Sequence, residues 1–234
     1  MIGVDQEAAL EELHPLAEVA LEMIRDGFVV GLGTGHAATA FVEALGGRVR
    51  EGLRVRGVPT SRDTAQMALG LGIPLVSLDG VEAIDVTVDG ADEVDPQLDL
   101  IKGLGGALVR EKIVASVSCQ LVIVVGAEKL VSVLGEHGVL PVEIVPFGLS
   151  PRQRRLSEQG LQPVPRKVEG KLFITDNGNY VLDCQLAAPQ DPIDLEQSLR
   201  AIPGVVGTGL FLGMADTVLI QDGDRVEVRQ RQSG

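Results

Sequence analysis

The chain has 234 residues, 45% hydrophobic and 23% charged, ordinary for a globular protein and enough for one large domain or one domain with a smaller companion. A formal net charge of −13 and 3% aromatics, with no Trp, argue against nucleic acid, which asks for a basic surface or stacking platforms, and against an anionic membrane. They leave room for a small anionic substrate held by a few local cations.

From the N-terminus, Phe28–Gly31 reads as a strand, followed by a glycine-rich turn and a helix through Ala38–Leu45. Arg54–Val58 is the next strand and leads through Pro59-Thr60-Ser61 into a helix from about Asp63 to Leu71. Pro74–Leu78 and Ala83–Asp89 follow as strands, then a loop, a helix near Ala107–Val117 and the apolar strand Leu121–Val125. Strand, helix, strand at this spacing predicts an α/β fold with a mostly parallel sheet covered on both faces.

The pattern changes after about Val133. Val142–Val145 is a strand and Ser150–Gln159 a helix. Leu172–Thr175 and Tyr180–Cys184 pair around Asp176-Asn177-Gly178-Asn179, because Asn-Gly between apolar runs signals a hairpin. A helix near Leu195–Ala201 stops at Pro203-Gly204, and Val218–Gln221 with Arg225–Val228 form a terminal hairpin, around Asp222-Gly223-Asp224, placed to rejoin the first sheet. The expected division is a catalytic domain of residues 1–133 and 207–234, with a small α+β domain of residues 134–206 inserted before the C-terminal hairpin.

Ligands of a parallel sheet bind outside the carboxyl ends of its strands. Four segments lie just past predicted strands: Gly31–His36, Pro59-Thr60-Ser61, Asp89–Glu93 and Gly126–Lys129. The first is either a phosphate cradle at a helix N-terminus or only a tight turn. No acid stands at the end of the second strand, so a dinucleotide fingerprint fits poorly. Asp89 and Asp92 can orient hydroxyls and shuttle protons, or form a solvated acidic loop.

Glu111 is more informative. At about 100° per residue, Ala107, Leu108, Val114, Ala115 and Ser118 fall within about 60° of its direction on the helix. Burial among such neighbours would raise its pKa toward that of a useful base, whereas a pairing with Arg110 or Lys112 would make it structural. Lys102, followed by Gly103, Gly105 and Gly106, could stabilise an oxyanion or simply be solvated.

The other exclusions are brief. No apolar run approaches the ~18 residues that cross a bilayer. The first 25 residues carry scattered acids, unlike a signal peptide. Cys119 and Cys184 lie far apart with no CxxC, as in a cytoplasmic protein with reduced thiols, and His14, His36 and His137 share no ligand spacing, so no metal is expected.

In sum these residues resemble type A ribose-5-phosphate isomerase. The resembling motifs are Val30–Gly35, Val88–Glu93, Ile101-Lys102-Gly103, Gly105–Leu108 with Arg110–Ile113, Leu140–Glu143, Thr175–Asn179 and Ala201–Val206. The resemblance implies a Rossmann-like domain and a smaller α+β domain, no cofactor, and a homodimer or homotetramer. It implies interconversion of ribose 5-phosphate and ribulose 5-phosphate through an enediolate, in the pentose phosphate pathway. By position, Glu111 is the base, Asp89 assists ring opening, and Asp92 and Lys102 hold hydroxyls and the developing oxyanion. Thr34, Gly35, His36, Ala37 and Lys129 contact substrate, including its phosphate, and Gly90, Ala91, Gly103, Leu104 and Gly105 complete the binding loops. Where the family carries Ser-Thr, this chain has His36-Ala37, and Leu104 stands where the family tends to have Gly. The rival readings are a non-catalytic sugar-phosphate sensor, which has no use for Asp89, Asp92, Lys102 and Glu111 together, and a nicotinamide-dependent dehydrogenase.

Overall fold

The structure, a computed structural model, describes residues 13–186, 190–223 and 225–232. The helices are α1 (His14–Leu21), α2 (His36–Arg50), α3 (Arg62–Gly70), α4 (Leu108–Ser116), α5 (Leu149–Glu158) and α6 (Pro192–Arg200). The first strands are β1 (Val29–Leu32), β2 (Arg56–Pro59), β3 (Val86–Asp89), β4 (Glu93–Val94), β5 (Leu100–Ile101), β6 (Leu121–Gly126) and β7 (Leu140–Ile144). Then come β8 (Leu161–Pro165), β9 (Lys167–Val168), β10 (Lys171–Leu172), β11 (Tyr180–Leu186), β12 (Val205–Thr208), β13 (Leu210–Phe211), β14 (Thr217–Asp222) and β15 (Arg225–Gln230).

The chain groups into two compact units, Met1–Ala91 with Arg110–Lys129 and Met214–Gly234, and Asp92–Val109 with Leu130–Gly213. Residues 92–109, 130–133 and 207–213 therefore group with the second unit, not with the first where the strand-helix pattern puts them. The two-residue strands β4, β5 and β13 form a small sheet of their own, and Val94 of β4 also bridges Leu130, so 92–109 is drawn into the second unit.

In the first unit a six-stranded sheet runs β15-β14-β6-β3-β1-β2, parallel except for the β14–β15 hairpin, which rejoins it as expected. Strand β6 reads Leu-Val-Ile-Val-Val and all five are buried, as a parallel strand covered on both faces must be. Helix α2 buries Ala38, Phe41, Val42 and Leu45, spaced as one helical face, and the last three share a core with Val30, Leu32, Val88, Val122 and Val124. Val114 of α4 packs with Val29, Val58 and Ile84 in a separate cluster. The expected strand Pro74–Leu78 is reduced to one bridge, Gly57–Leu75, and then becomes a 3-10 turn at Leu78–Gly80. The Ser77 hydroxyl accepts from Asp79 N–H there and turns the chain away from the sheet edge.

The second unit has an antiparallel sheet β12-β7-β11-β8. Leu140, Val142, Ile144, Leu182 and Cys184 point to one face and form a core with Leu156 of α5 and Leu195 and Leu199 of α6. Asp191 caps α6 by accepting from Ile193 and Asp194 N–H. The expected hairpin arm Leu172–Thr175 is cut short: β10 pairs with β9 instead, and only the bridge Ile174–Tyr180 remains. The reason is the buried carboxylate of Glu143, whose Oε1 accepts from the side chains of Thr175, Asn177 and Asn179 at 3.0, 3.3 and 2.8 Å. The turn closes around that oxygen rather than continuing a ladder.

Candidate active site

Parallel β1, β2, β3 and β6 share one direction, so they deliver Gly33-Thr34-Gly35, Thr60-Ser61, Gly90-Ala91 and the Ala127–Lys129 turn to one edge of the sheet. Strand β1 lies between β2 and β3, the place where strand order reverses and ligands bind in such folds.

Asp89 closes β3 and is 1% exposed. Its Oδ1 accepts from Thr34 N–H at 3.1 Å and Gly90 N–H at 2.8 Å, so this carboxylate ties the β1 loop to the β3 loop. The loop can come this close only because residue 33 is glycine: a Cβ there would lie 2.3 Å from Asp89 Oδ1 and 2.6 Å from its Cα. Ala37 is half-buried, while His36 is exposed as the first residue of α2.

The Thr34 hydroxyl lies 2.7 Å from Thr60 Oγ1. Thr60 spends its proton on the Leu32 carbonyl at 3.0 Å, and Thr64 spends its own on the Gly33 carbonyl at 3.0 Å. Ser61 in turn donates to Thr64 Oγ1 at 2.9 Å and accepts from Thr64 N–H at 3.1 Å as the cap of α3. Thr60, Ser61 and Thr64 are all buried, so the β1 loop is fastened to the start of α3 by hydroxyls away from water. Thr64 escaped the sequence reading, although its place three residues after the cap Ser61 is a visible capping signal.

Glu111 sits in the first turn of α4 and is 3% exposed. Its neighbours on that helix face, Ala107, Leu108, Val114 and Ala115, are buried too, as their spacing predicts, while Ile113 is open to solvent. Lys129 ends the turn after β6 and is half-buried.

The remaining residues singled out in the sequence lie in the second unit. Asp92 N–H donates to the Ile101 carbonyl at 2.8 Å, and the Asp92 carboxylate accepts from Leu104 N–H at 3.0 Å. Lys102 is buried, its N–H bonded to the Gly209 carbonyl at 2.9 Å and its ammonium 5.5 Å from the centre of the Phe211 ring. Leu104 and Gly105 are exposed, and Gly103 is buried. Hydrogen bonds thus join Asp89 to Thr34 and Gly90 in the first unit, and Asp92 to Leu104 in the second. Among the described residues, no three of His, Cys, Asp and Glu gather to hold a metal ion.

The profile of the ribose 5-phosphate isomerase A (phosphoriboisomerase A) family matches residues 56–225. The chain belongs to that family. It is 50% identical to ribose-5-phosphate isomerase A of Gloeobacter violaceus, covering 91% of this chain and 93% of the relative. Among solved structures, ribose 5-phosphate isomerase A from Methanocaldococcus jannaschii is 41% identical, with a TM-score of 0.89 over 94% of this chain and 99% of that one. A D-ribose-5-phosphate isomerase in complex with phospho-erythronic acid is 39% identical, with a TM-score of 0.91 over 94% and 98%. The chain is an isomerase with an α/β fold. Among its described residues no helix is long and apolar enough to cross a membrane.

Proposed function

We propose that this isomerase interconverts D-ribose 5-phosphate and D-ribulose 5-phosphate through an enediolate, with Glu111 as the base. The observation that carries the reading is the burial of Glu111 at 3% exposure on an otherwise small and apolar helix face. A carboxylate kept from water is a stronger base than a solvated one. In the open-chain aldose Glu111 takes the C2 proton, the C–H electrons form the C1–C2 double bond, and the carbonyl electrons move to O1. The O2 proton passes to O1, the C2 carbonyl forms, and Glu111 returns its proton to C1. The same residue thus serves both steps, and no redox partner is needed to balance them.

Asp89 assists ring opening by exchanging a proton with the ring oxygen and O1. Asp92 orients hydroxyls, and the Lys102 ammonium offsets charge on the developing oxyanion. Thr34, Gly35, His36, Ala37 and Lys129 hold the phosphate end, where the start of α2 offers N–H groups. Gly90, Ala91, Gly103, Leu104 and Gly105 line the approach with backbone. We further propose a cytoplasmic homodimer or homotetramer acting in the pentose phosphate pathway, with no cofactor.

The test is Glu111→Gln, which keeps shape and loses basicity. General-base catalysis is worth about 10²–10⁴ in rate, so kcat should fall at least about a hundredfold while calorimetric substrate affinity stays within about threefold. In D₂O the parent protein should wash deuterium into C2 of recovered ribose 5-phosphate, and the variant should not. Near-normal turnover by Glu111→Gln would move the base to Asp89 or Asp92.

A further inference from the structure

The loop after Lys102 is exposed at Leu104 and Gly105, yet it is gripped by Arg166, the residue between β8 and β9. Arg166 Nη1 donates to the Gly103 carbonyl at 3.0 Å and to the Leu104 carbonyl at 2.8 Å. Its other edge is committed to Asp183, Nε to Oδ2 at 3.0 Å and Nη2 to Oδ1 at 2.5 Å. The guanidinium carbon stands 5.7 Å from the centre of the Phe173 ring, and the tip of that ring fills the space a Cβ on Gly106 would need. At 11% exposure the Arg166 side chain is largely withdrawn from water, and its planar fork is pre-set for this double duty in a way an ammonium is not.

Peptide geometry turns this grip into a consequence for the other side of the loop. The C=O and N–H of a trans peptide point in opposite directions. With the carbonyls of residues 103 and 104 both drawn to one nitrogen of Arg166, the N–H groups of Leu104 and Gly105 must point away from it. The first of these meets the Asp92 carboxylate at 3.0 Å.

We propose that Arg166 is a positioning residue for the isomerase reaction: it holds two consecutive peptides so that Leu104 N–H orients the Asp92 carboxylate and Gly105 N–H is offered to the charged oxygen at the reacting end of the substrate. The proposal rests on the isomerase reading above, in which Asp92 and this loop meet the sugar. Asp183 acts one step further back, by fixing the plane of the guanidinium. A lysine at 166 would carry the charge without spanning both carbonyls and the carboxylate, so it should bind nothing new and release the loop.

The experiment compares the parent protein with Arg166→Lys and Asp183→Asn, using two probes at fixed pH. Inorganic phosphate competes only for the phosphate end, while phospho-erythronic acid also presents a carboxylate at the other end. In Arg166→Lys, affinity for phospho-erythronic acid and kcat should each fall about tenfold or more, the scale of one lost charge-oriented hydrogen bond, while inhibition by inorganic phosphate stays within about twofold. Asp183→Asn should show the same pattern at smaller size, and it carries the test alone if the lysine variant does not melt cooperatively. Equal loss for both probes, meaning general loosening, or no loss for either, would overturn the proposal. Absence of isomerase activity in the parent protein would instead overturn the isomerase reading.

Discussion

The Gly33-Thr34-Gly35 loop and the Lys102–Gly106 loop have similar composition and are secured by different means. The first sits between β1 and α2 and is tied from both sides: by Asp89 at the end of β3, and by the hydroxyls of Thr60 just past β2 and Thr64 on α3. The second hangs between the short strand β5 and α4 and takes its shape from Arg166, 62 residues later than Leu104. A loop framed by strand and helix inherits its geometry from the frame. A loop that leaves a two-residue strand has a weaker frame, and here it is held by a side chain imported from elsewhere.

The largest break in this contrast should come from adding one methyl group to each loop. Gly33→Ala puts a Cβ against Asp89, including its backbone, and neither strand can retreat without breaking the parallel pairing of β1 and β3. Displacement of catalytic groups by ~1 Å costs about 10² in rate, so kcat/KM should fall about a hundredfold. Gly106→Ala meets Phe173 only at the ring tip, 2.4 Å away, but Gly106 has a φ of +83°, which costs an alanine roughly 1–2 kcal/mol. That variant should lose about 2–4 °C of Tm per kcal/mol, while kcat/KM falls less than about tenfold. Equal damage from both substitutions would show that the two loops are equally unforgiving.

What the sequence makes legible follows the same division. Strand-turn-helix units announce themselves by β-branched runs, glycines and caps, so β1, β2, β3, β6 and their four loops can be read directly, and parallel pairing then places those loops on one edge. Glu111 is legible because helical periodicity predicts its neighbours, and burial of Leu108, Val114 and Ala115 follows that spacing. Strands β4, β5 and β13 are two residues each, too short to show an alternation, so the passage of 92–109 into the second unit leaves no local trace. Arg166 and Asp183 are likewise silent, since a side chain reaching across some 60 residues of chain has no signature at either end. The shortened hairpin arm at 172–175 shows the reverse case. The Asn-Gly signal is real, but a buried carboxylate on β7 takes the turn's side chains.

The middle-sized effect concerns His36 and sharpens the account of the first loop. His36 is exposed at the first position of α2, where the family resemblance leads one to expect a hydroxyl. There the side chain can only add to what the N–H groups of the helix start offer a phosphate. At fixed pH, His36→Ser should change KM by about two- to fivefold, the worth of one exposed contact, and leave kcat alone. An unchanged KM would mean that backbone N–H groups alone serve the phosphate.

The smallest effect tests whether the grip on the second loop is local. Cys184 follows Asp183 on β11, and because side chains alternate along a strand it points into the core while Asp183 points to Arg166. Burial first, and the neighbouring Asp183 charge second, push its thiol from 9.0 up to about 12. Below about pH 9 the thiol is protonated in both folded and unfolded chains and contributes no pH dependence. Above that, the unfolded thiol ionises while the folded one does not, so stability falls as pH rises from about 9 toward 12. At pH ~8 an aromatic disulfide reagent should therefore titrate the exposed Cys119 in the native protein and reach Cys184 only after denaturant is added. Arg166→Lys should leave that count unchanged, because the loop lies on the opposite side of the strand from the core. If the variant yields both thiols under native conditions, Arg166 holds the sheet itself together, and the difference between the two loops is one of stability and not of aim.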